Sequence, residues 1–273
     1  MSLVTTDWVL ENLNSLKIID ASWHMPAQKR NPAEEYLNAH IPNSVFFDLD
    51  KNSEKDTDLP HMLPKQEAWE KIMSSLGINN NDDILIYDNS DLKSSCRCWF
   101  SLIYFGHDEK KIHILNGGLK KWIFENKPIT KDATEIIESN YVANEKENLV
   151  VSFDQIKKNI LSKSFNVIDA RSLERFEGKV SEPRKGLRSG HIQNSFCLPF
   201  NLCINQKTGE FKNLEELREL FNQNENIEKE LDQVFTCGSG VTAAVLAYAY
   251  KMVNNDYIPK IYDGSWSEYG KYP

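Results

Sequence analysis

The stretch Cys237-Gly-Ser-Gly-Val-Thr-Ala243 pairs a nucleophile with a backbone suited to activating it. The short apolar run 234–236 leads into the cysteine, and an alanine-rich apolar run, 241–252, follows it. The pattern predicts a strand, a tight turn and the start of a helix, with the thiol at the turn. Successive N–H groups at such a turn form a concavity for anions, and the positive end of the helix favours thiolate over thiol. Gly238 and Gly240 are expected to supply backbone conformations that a Cβ would forbid. The competing role for a cysteine at a strand end is simple burial. The rest of the chain decides between them.

The elements that must position this turn recur along the chain. Ile18-Ile-Asp-Ala-Ser22 returns as Val167-Ile-Asp-Ala-Arg171, which sets Asp20 against Asp169. His40-Ile-Pro-Asn-Ser44 returns as His191-Ile-Gln-Asn-Ser195, and Ile114-Leu-Asn-Gly117 as Ile261-Tyr-Asp-Gly264. The order is kept and the spacing stays near 149 residues, so the chain holds two copies of one unit. Strands are expected at 17–20, 44–47, 84–87 and 112–115, and again at 165–169, 196–199, 233–236 and 260–262. Helices are expected at 66–76, 94–105, 152–162, 214–222 and 241–252. Their alternation predicts an α/β fold, with a mainly parallel sheet covered by helices in each half. Ser152-Phe-Asp-Gln155 reads as a capping box opening the second copy. The expected boundaries are a domain over 1–128, a polar linker over 129–148 and a second domain over 149–273.

The repeat also supplies an internal control. At the spacing of 149, Cys237 falls on Asp88, so both halves have the strand end but only one has a nucleophile there. Parallel α/β sheets gather ligands at the carboxyl ends of their strands. The second half is therefore expected to be catalytic and the first a scaffold. His40 and His191 hold equivalent positions, and that symmetry assigns them to the fold rather than to catalysis.

Composition narrows the partners. The 273 residues, 40% of them hydrophobic, suffice for two cores, and a net charge of −8 disfavours nucleic acid and anionic membrane. No stretch approaches the length of a membrane span, and the N-terminus has no signal-peptide pattern, so a cytoplasmic location is expected. Five cysteines form an odd, sparse set that suits a reducing compartment. Cys96 and Cys98 lack the further ligands of a zinc site and read as packing residues, as do Cys197 and Cys203. Neither a metal nor an organic cofactor is expected.

Nearly the whole chain resembles the tandem-rhodanese sulfurtransferases, and among them the 3-mercaptopyruvate sulfurtransferases. The resemblance rests on Asp20-Ala-Ser-Trp23, His40-Ile-Pro42, Phe46-Phe-Asp-Leu-Asp50, His61-Met-Leu-Pro64 and Asn116-Gly-Gly-Leu119 in the first half. It continues through Asp169-Ala-Arg171, Arg175-Phe176, Glu182-Pro-Arg184, Gly190-His-Ile192, the Cys237 loop and Tyr262-Asp-Gly-Ser-Trp266. It implies two tandem rhodanese-like domains and a persulfide on Cys237, passed to a second nucleophile: thioredoxin, a small thiol or cyanide. It also implies that the backbone of Gly238, Ser239, Gly240, Val241 and Thr242 forms the anion cradle.

In the family, donors with a doubly charged end are met by basic residues just after the cysteine. Gly238 and Ser239 are neutral and small, which favours a monoanionic α-keto acid. Arg175 and Arg184 match the family's carboxylate fork, whereas Lys185 and Arg188 are expected to be solvated. Ser239 is placed either to bond the keto group, to relay a proton or to satisfy backbone groups. Asp50 and His61 match positions of a relay through Ser239, and Asp50 also reads as a turn residue.

Rival chemistries lack their parts. The dual-specificity cell-cycle phosphatases share this fold but need a longer loop ending in arginine, and here Ala243 and Ala244 follow Thr242. A cysteine peptidase would need a histidine base beside the thiol, and a non-catalytic rhodanese-like binding module usually lacks the cysteine. The nearest alternative within the class is a thiosulfate sulfurtransferase.

Overall fold

The apolar runs form two five-stranded sheets in the computed structural model of the protein, which describes residues 2–223 and 227–272. In the first half the strands are β1 (Ser2–Val4), β2 (Lys17–Asp20), β3 (Ser44–Phe46), β4 (Ile84–Tyr87) and β5 (Ile112–Leu115). They lie in the order β1-β5-β4-β2-β3. The second half has β6 (Val150–Val151), β7 (Phe165–Asp169), β8 (Phe196–Cys197), β9 (Asp232–Thr236) and β10 (Lys260–Tyr262), ordered β6-β10-β9-β7-β8. Every pairing within these sheets is parallel, and the two orders are the same topology twice.

Helices return the chain between parallel strands and cover the sheets. All four residues of β4 are buried, as a central strand covered on both faces requires. The helix Val241–Val253 is apolar nearly all round and lies in the core of the second half. Ser152 and Gln155 form the capping box that opens the helix Phe153–Ser162. The expected strand 196–199 ends at Cys197, because Pro199 has no N–H for the ladder and begins a 3-10 turn, Phe200–Cys203. The edge strands Ser2–Val4 and Val150–Val151 are too short to show a period in sequence.

By contacts the chain divides into two units whose membership is not simply first half and second half. Unit 1 takes the residues up to Glu54, Pro64–Lys146 and Gln206–Glu210; unit 2 takes Lys55–Leu63, Glu147–Asn205 and Phe211 onward. The two transferred segments occupy matching places in the repeat. The polar stretch 129–146 runs along unit 1: Thr130 bridges His40, Thr134 Oγ1 donates to the Ser44 carbonyl, and Tyr141 and Ala143 are buried.

His40 and His191 have the same local task. Nδ1 of His40 lies 2.7 Å from the Tyr36 carbonyl, and its ring stacks on Tyr36 at 4.1 Å. His191 repeats this with the Phe176 carbonyl at 2.8 Å and the Phe176 ring at 4.0 Å. Each ties a helix to the entry of the next strand.

Candidate active site

Cys237 follows directly on β9, and Gly240, at φ +78°, caps the helix Val241–Val253. Only Gly240 has the positive φ expected of both loop glycines. Gly238 instead has a close approach from outside: a Cβ there would lie a tight 3.2 Å from Arg175 Nη2 and 3.5 Å from Arg184 Nη1. That corrects the expectation that both glycines relieve backbone strain. Both guanidinium groups press against the turn, where a larger residue would displace them.

The loop is oriented by a segment just after β10. The Cys237 carbonyl accepts from Trp266 N–H at 2.9 Å, and the Gly238 carbonyl accepts from Ser267 N–H at 2.9 Å and Ser267 Oγ at 2.5 Å. In a trans peptide the following N–H points opposite to the carbonyl. The N–H groups of Gly238 and Ser239 are therefore directed away from Ser265–Ser267. The N–H groups of Val241 and Thr242, at the helix start, have no intrahelical acceptor. Ser265 Oγ, fully buried, accepts from the N–H of both Cys237 and Gly240 at 3.2 Å and donates to the Tyr262 carbonyl. Its φ of +50° is unusual for a residue with a side chain and marks a tightly determined position.

Ser239 is buried, and its hydroxyl lies 3.2 Å from Arg184 Nη2 and 2.9 Å from His61 Nδ1. A guanidinium only donates, so the Ser239 oxygen accepts from Arg184 and its proton is available to His61 Nδ1. His61 belongs to the strap Lys55–Leu63, which clusters with unit 2 although the sequence puts it in the first half. It is buried at φ +61°, and two residues later the Leu63 N–H donates to Asp263 Oδ2 at 2.9 Å. Asp50, by contrast, is a member of unit 1, exposed, with Trp23 Nε1 donating to its carboxylate at 3.0 Å.

Arg175 is held by Glu182, with Nε to Oε1 at 3.2 Å and Nη2 to Oε2 at 2.5 Å. Glu182 also takes Arg171 Nη1 at 2.8 Å, and Arg171 in turn grips Asp169. In the sequence Glu182, Arg171 and Ser265 stand out only as parts of motifs, and Ser267 not at all. The repeat held a signal for Ser265: it aligns with Gly118, whose φ is +61° and whose Cβ would lie 2.3 Å from the Asp88 carbonyl. Arg188, expected to be solvated, instead donates to the Tyr272 carbonyl and stacks on Trp266 at 4.7 Å.

Burial disfavours the thiolate of three of the other cysteines. Burial pushes the thiol of Cys203 up to about 12 and, with the nearby Asp169 carboxylate, that of Cys197 up to about 12. Cys98, fully enclosed, is pushed up by burial alone, and Cys96 is buried beside it in the same helix. None of the five cysteines is in a disulfide.

A sequence profile of the rhodanese-like domain matches residues 5–125 and 152–272. This chain belongs to the rhodanese family. Its two family domains account for the two sheets of identical strand order. Among relatives, it is 39% identical over 294 residues to an Arabidopsis thaliana protein named mitochondrial thiosulfate/3-mercaptopyruvate sulfurtransferase 1, covering 99% of this chain and 76% of that protein. It is 37% identical over 270 residues to the 3-mercaptopyruvate sulfurtransferase of Escherichia coli K12, covering 98% of this chain and 94% of the relative. The crystal structure of SseA from Escherichia coli, described as a 3-mercaptopyruvate sulfotransferase of rhodanese fold, superposes with a TM-score of 0.87 at 35% identity. That match covers 97% of this chain and 99% of the other. Among the described residues no helix is long and apolar enough to cross a membrane.

Proposed function

We propose that this rhodanese-family chain is a sulfurtransferase that takes sulfur from 3-mercaptopyruvate through a persulfide on Cys237. The observation that carries the reading is the approach of Arg175 and Arg184 to Gly238, beside the nucleophile. Two guanidinium groups there suit the carboxylate and keto oxygens of a small α-keto acid. The catalytic domain covers 149–273, the domain over 1–128 supplies no nucleophile of its own but lends His61 on the strap Lys55–Leu63, and 129–148 joins them.

The Cys237 thiolate attacks the substrate sulfur, forming the S–S bond as the C–S bond breaks. The C–S electron pair leaves on carbon as the pyruvate enolate, which takes a proton to become pyruvate. The amides of Gly238 and Ser239 and those of Val241 and Thr242 at the helix start stabilise sulfur anion before and after transfer. The Gly240 N–H, taken by Ser265 Oγ, leaves Gly240 a conformational part in the cradle. Ser239 and His61 form a hydroxyl–imidazole pair placed to move a proton at Ser239 Oγ. Asp50, held by Trp23, is assigned no step. A thiol, thioredoxin or cyanide then attacks the outer sulfur and regenerates Cys237. None of these steps calls for a cofactor. Five cysteines outside any disulfide support a reducing, cytoplasmic setting, although one relative is named as mitochondrial.

The reading is tested by kcat/KM for 3-mercaptopyruvate against thiosulfate with cyanide as acceptor. A preference for mercaptopyruvate of about tenfold or more is expected, and a preference for thiosulfate overturns the donor assignment. Mass spectrometry after donor alone should find one added sulfur atom on Cys237, and none in Cys237→Ser. Sulfur loading that survives Cys237→Ser removes Cys237 from the mechanism.

A further inference from the structure

Glu182 holds Arg175, one of the two guanidinium groups beside Gly238, and has been given no role. Its side chain is only 2% exposed and lies between Arg171, fully buried, and Arg175, 21% exposed. It accepts from Arg171 Nη1 and takes Arg175 along the Nε–Nη2 edge. Asp169 holds the rest of Arg171 through Nε and Nη2. The four side chains make a buried chain of alternating sign, Asp169–Arg171–Glu182–Arg175, whose formal charges cancel.

Two consequences follow for anything bound beside Gly238. The Nε–Nη2 edge of Arg175 is committed to Glu182, which fixes the plane of the guanidinium and the direction of its remaining N–H groups. The chain also brings no surplus positive charge to the loop, although two arginines belong to it. A doubly charged donor gains about twice as much as a singly charged one from each added positive charge, so a neutral chain withholds from the dianion the advantage that an uncompensated Arg175 would give it.

We propose that Glu182 is a specificity-determining residue, orienting Arg175 and cancelling its charge so that the site accepts a monoanionic sulfur donor in preference to a dianionic one. The inference rests on the keto-acid reading above. It reaches the donor through Arg175, so Glu182 is a positioning residue and not a catalytic one.

The test compares Glu182→Gln and Glu182→Asp with the wild-type chain, with thermal unfolding read alongside. Glu182→Gln keeps the shape and removes the charge. The ratio of kcat/KM for thiosulfate to that for 3-mercaptopyruvate should rise about tenfold, mainly through KM. Glu182→Asp keeps the charge but is too short to reach both arginines. Its ratio should stay within about twofold of wild type while KM for mercaptopyruvate rises about 3- to 10-fold. Equal losses for both donors in Glu182→Gln would make Glu182 merely structural and overturn the proposal. If Glu182→Gln does not fold, Glu182→Asp decides: an unchanged KM, or a changed ratio, overturns it. Each ratio is read relative to wild type, so a wild-type preference for thiosulfate would sink the donor reading while leaving the charge effect separately measurable.

Discussion

Asp88 and Cys237 hold the same place in the two sheets. The Asp88 carbonyl accepts from Leu119 N–H and the Cys237 carbonyl from Trp266 N–H, both at 2.9 Å. Their side chains diverge in role. Asp88 turns its carboxylate back on its own loop, accepting from Ser90 N–H at 3.0 Å and Ser95 N–H at 2.9 Å. The amides that would cradle an anion in unit 1 are thus filled from within. Asp88→Ala should leave sulfur transfer within about twofold of wild type. It should also lower the unfolding free energy by about 2–3 kcal/mol, since a buried carboxylate and two buried donors lose their bonds. Urea unfolding and steady-state kinetics on one preparation check both; a large loss of activity would give Asp88 a part in catalysis.

The strap Lys55–Leu63 delivers His61 to Ser239, and Asp263 holds the strap. His61→Ala should lower kcat for mercaptopyruvate by about 10- to 100-fold with a smaller change in KM. Asp263→Ala should do the same in weaker form, because the Leu63 N–H loses its acceptor and His61 its register. Asp263→Asn retains an acceptor oxygen and should recover most of the rate. Unchanged kcat in Asp263→Ala would show that the strap is held by other contacts.

Arg184 donates to Ser239 and, with Arg175, closes on Gly238. Arg184→Ala should raise KM for mercaptopyruvate about 10- to 100-fold, the loss expected for a charge-assisted carboxylate contact. Gly238→Ala inserts a methyl group 3.2 Å from Arg175 Nη2 and should raise KM by about 3- to 10-fold. Substrate saturation curves for both variants decide the matter, and an Arg184→Ala KM equal to wild type removes Arg184 from the site.

Asp20 sits at the end of β2 with its carboxyl raised to about 6, chiefly by burial, against hydrogen bonds from Ser22 and Tyr87 that pull it down. A carboxyl raised on folding favours the folded state below its ordinary value, near 3.8, and loses that contribution as pH climbs to about 6. Relative to Asp20→Asn, wild-type stability should therefore fall between about pH 4 and 6 and then level off. The total is on the order of 3 kcal/mol. Urea midpoints of both proteins across that range test it; a parallel pair of curves would mean that Asp20 titrates normally.

Much of this protein is written in the order of its residues. The strands 84–87, 112–115 and 165–169 and the helix 214–222 follow from runs of apolar side chains, because burial of a strand or helix face is a local pattern. The repeat and the cysteine turn are legible for the same reason, because short motifs carry their own geometry, whereas Arg175 and Arg184 stand out only through the family resemblance. The tertiary structure alone decided which groups meet. His61 is 178 residues from Ser239 and joins it only because the strap packs with the second unit. Glu182 reads as one more acidic residue until folding buries it between two guanidinium groups. Gly238 looks like a conformational requirement, and the fold instead brings two guanidinium groups close against it. Backbone preference acts over a few residues, whereas contact, burial and charge pairing depend on which distant side chains the fold brings within a few ångströms. The Cys237 turn and its uncharged loop belong to the first kind of information, and the meeting of Ser239 with His61 and Arg184 to the second.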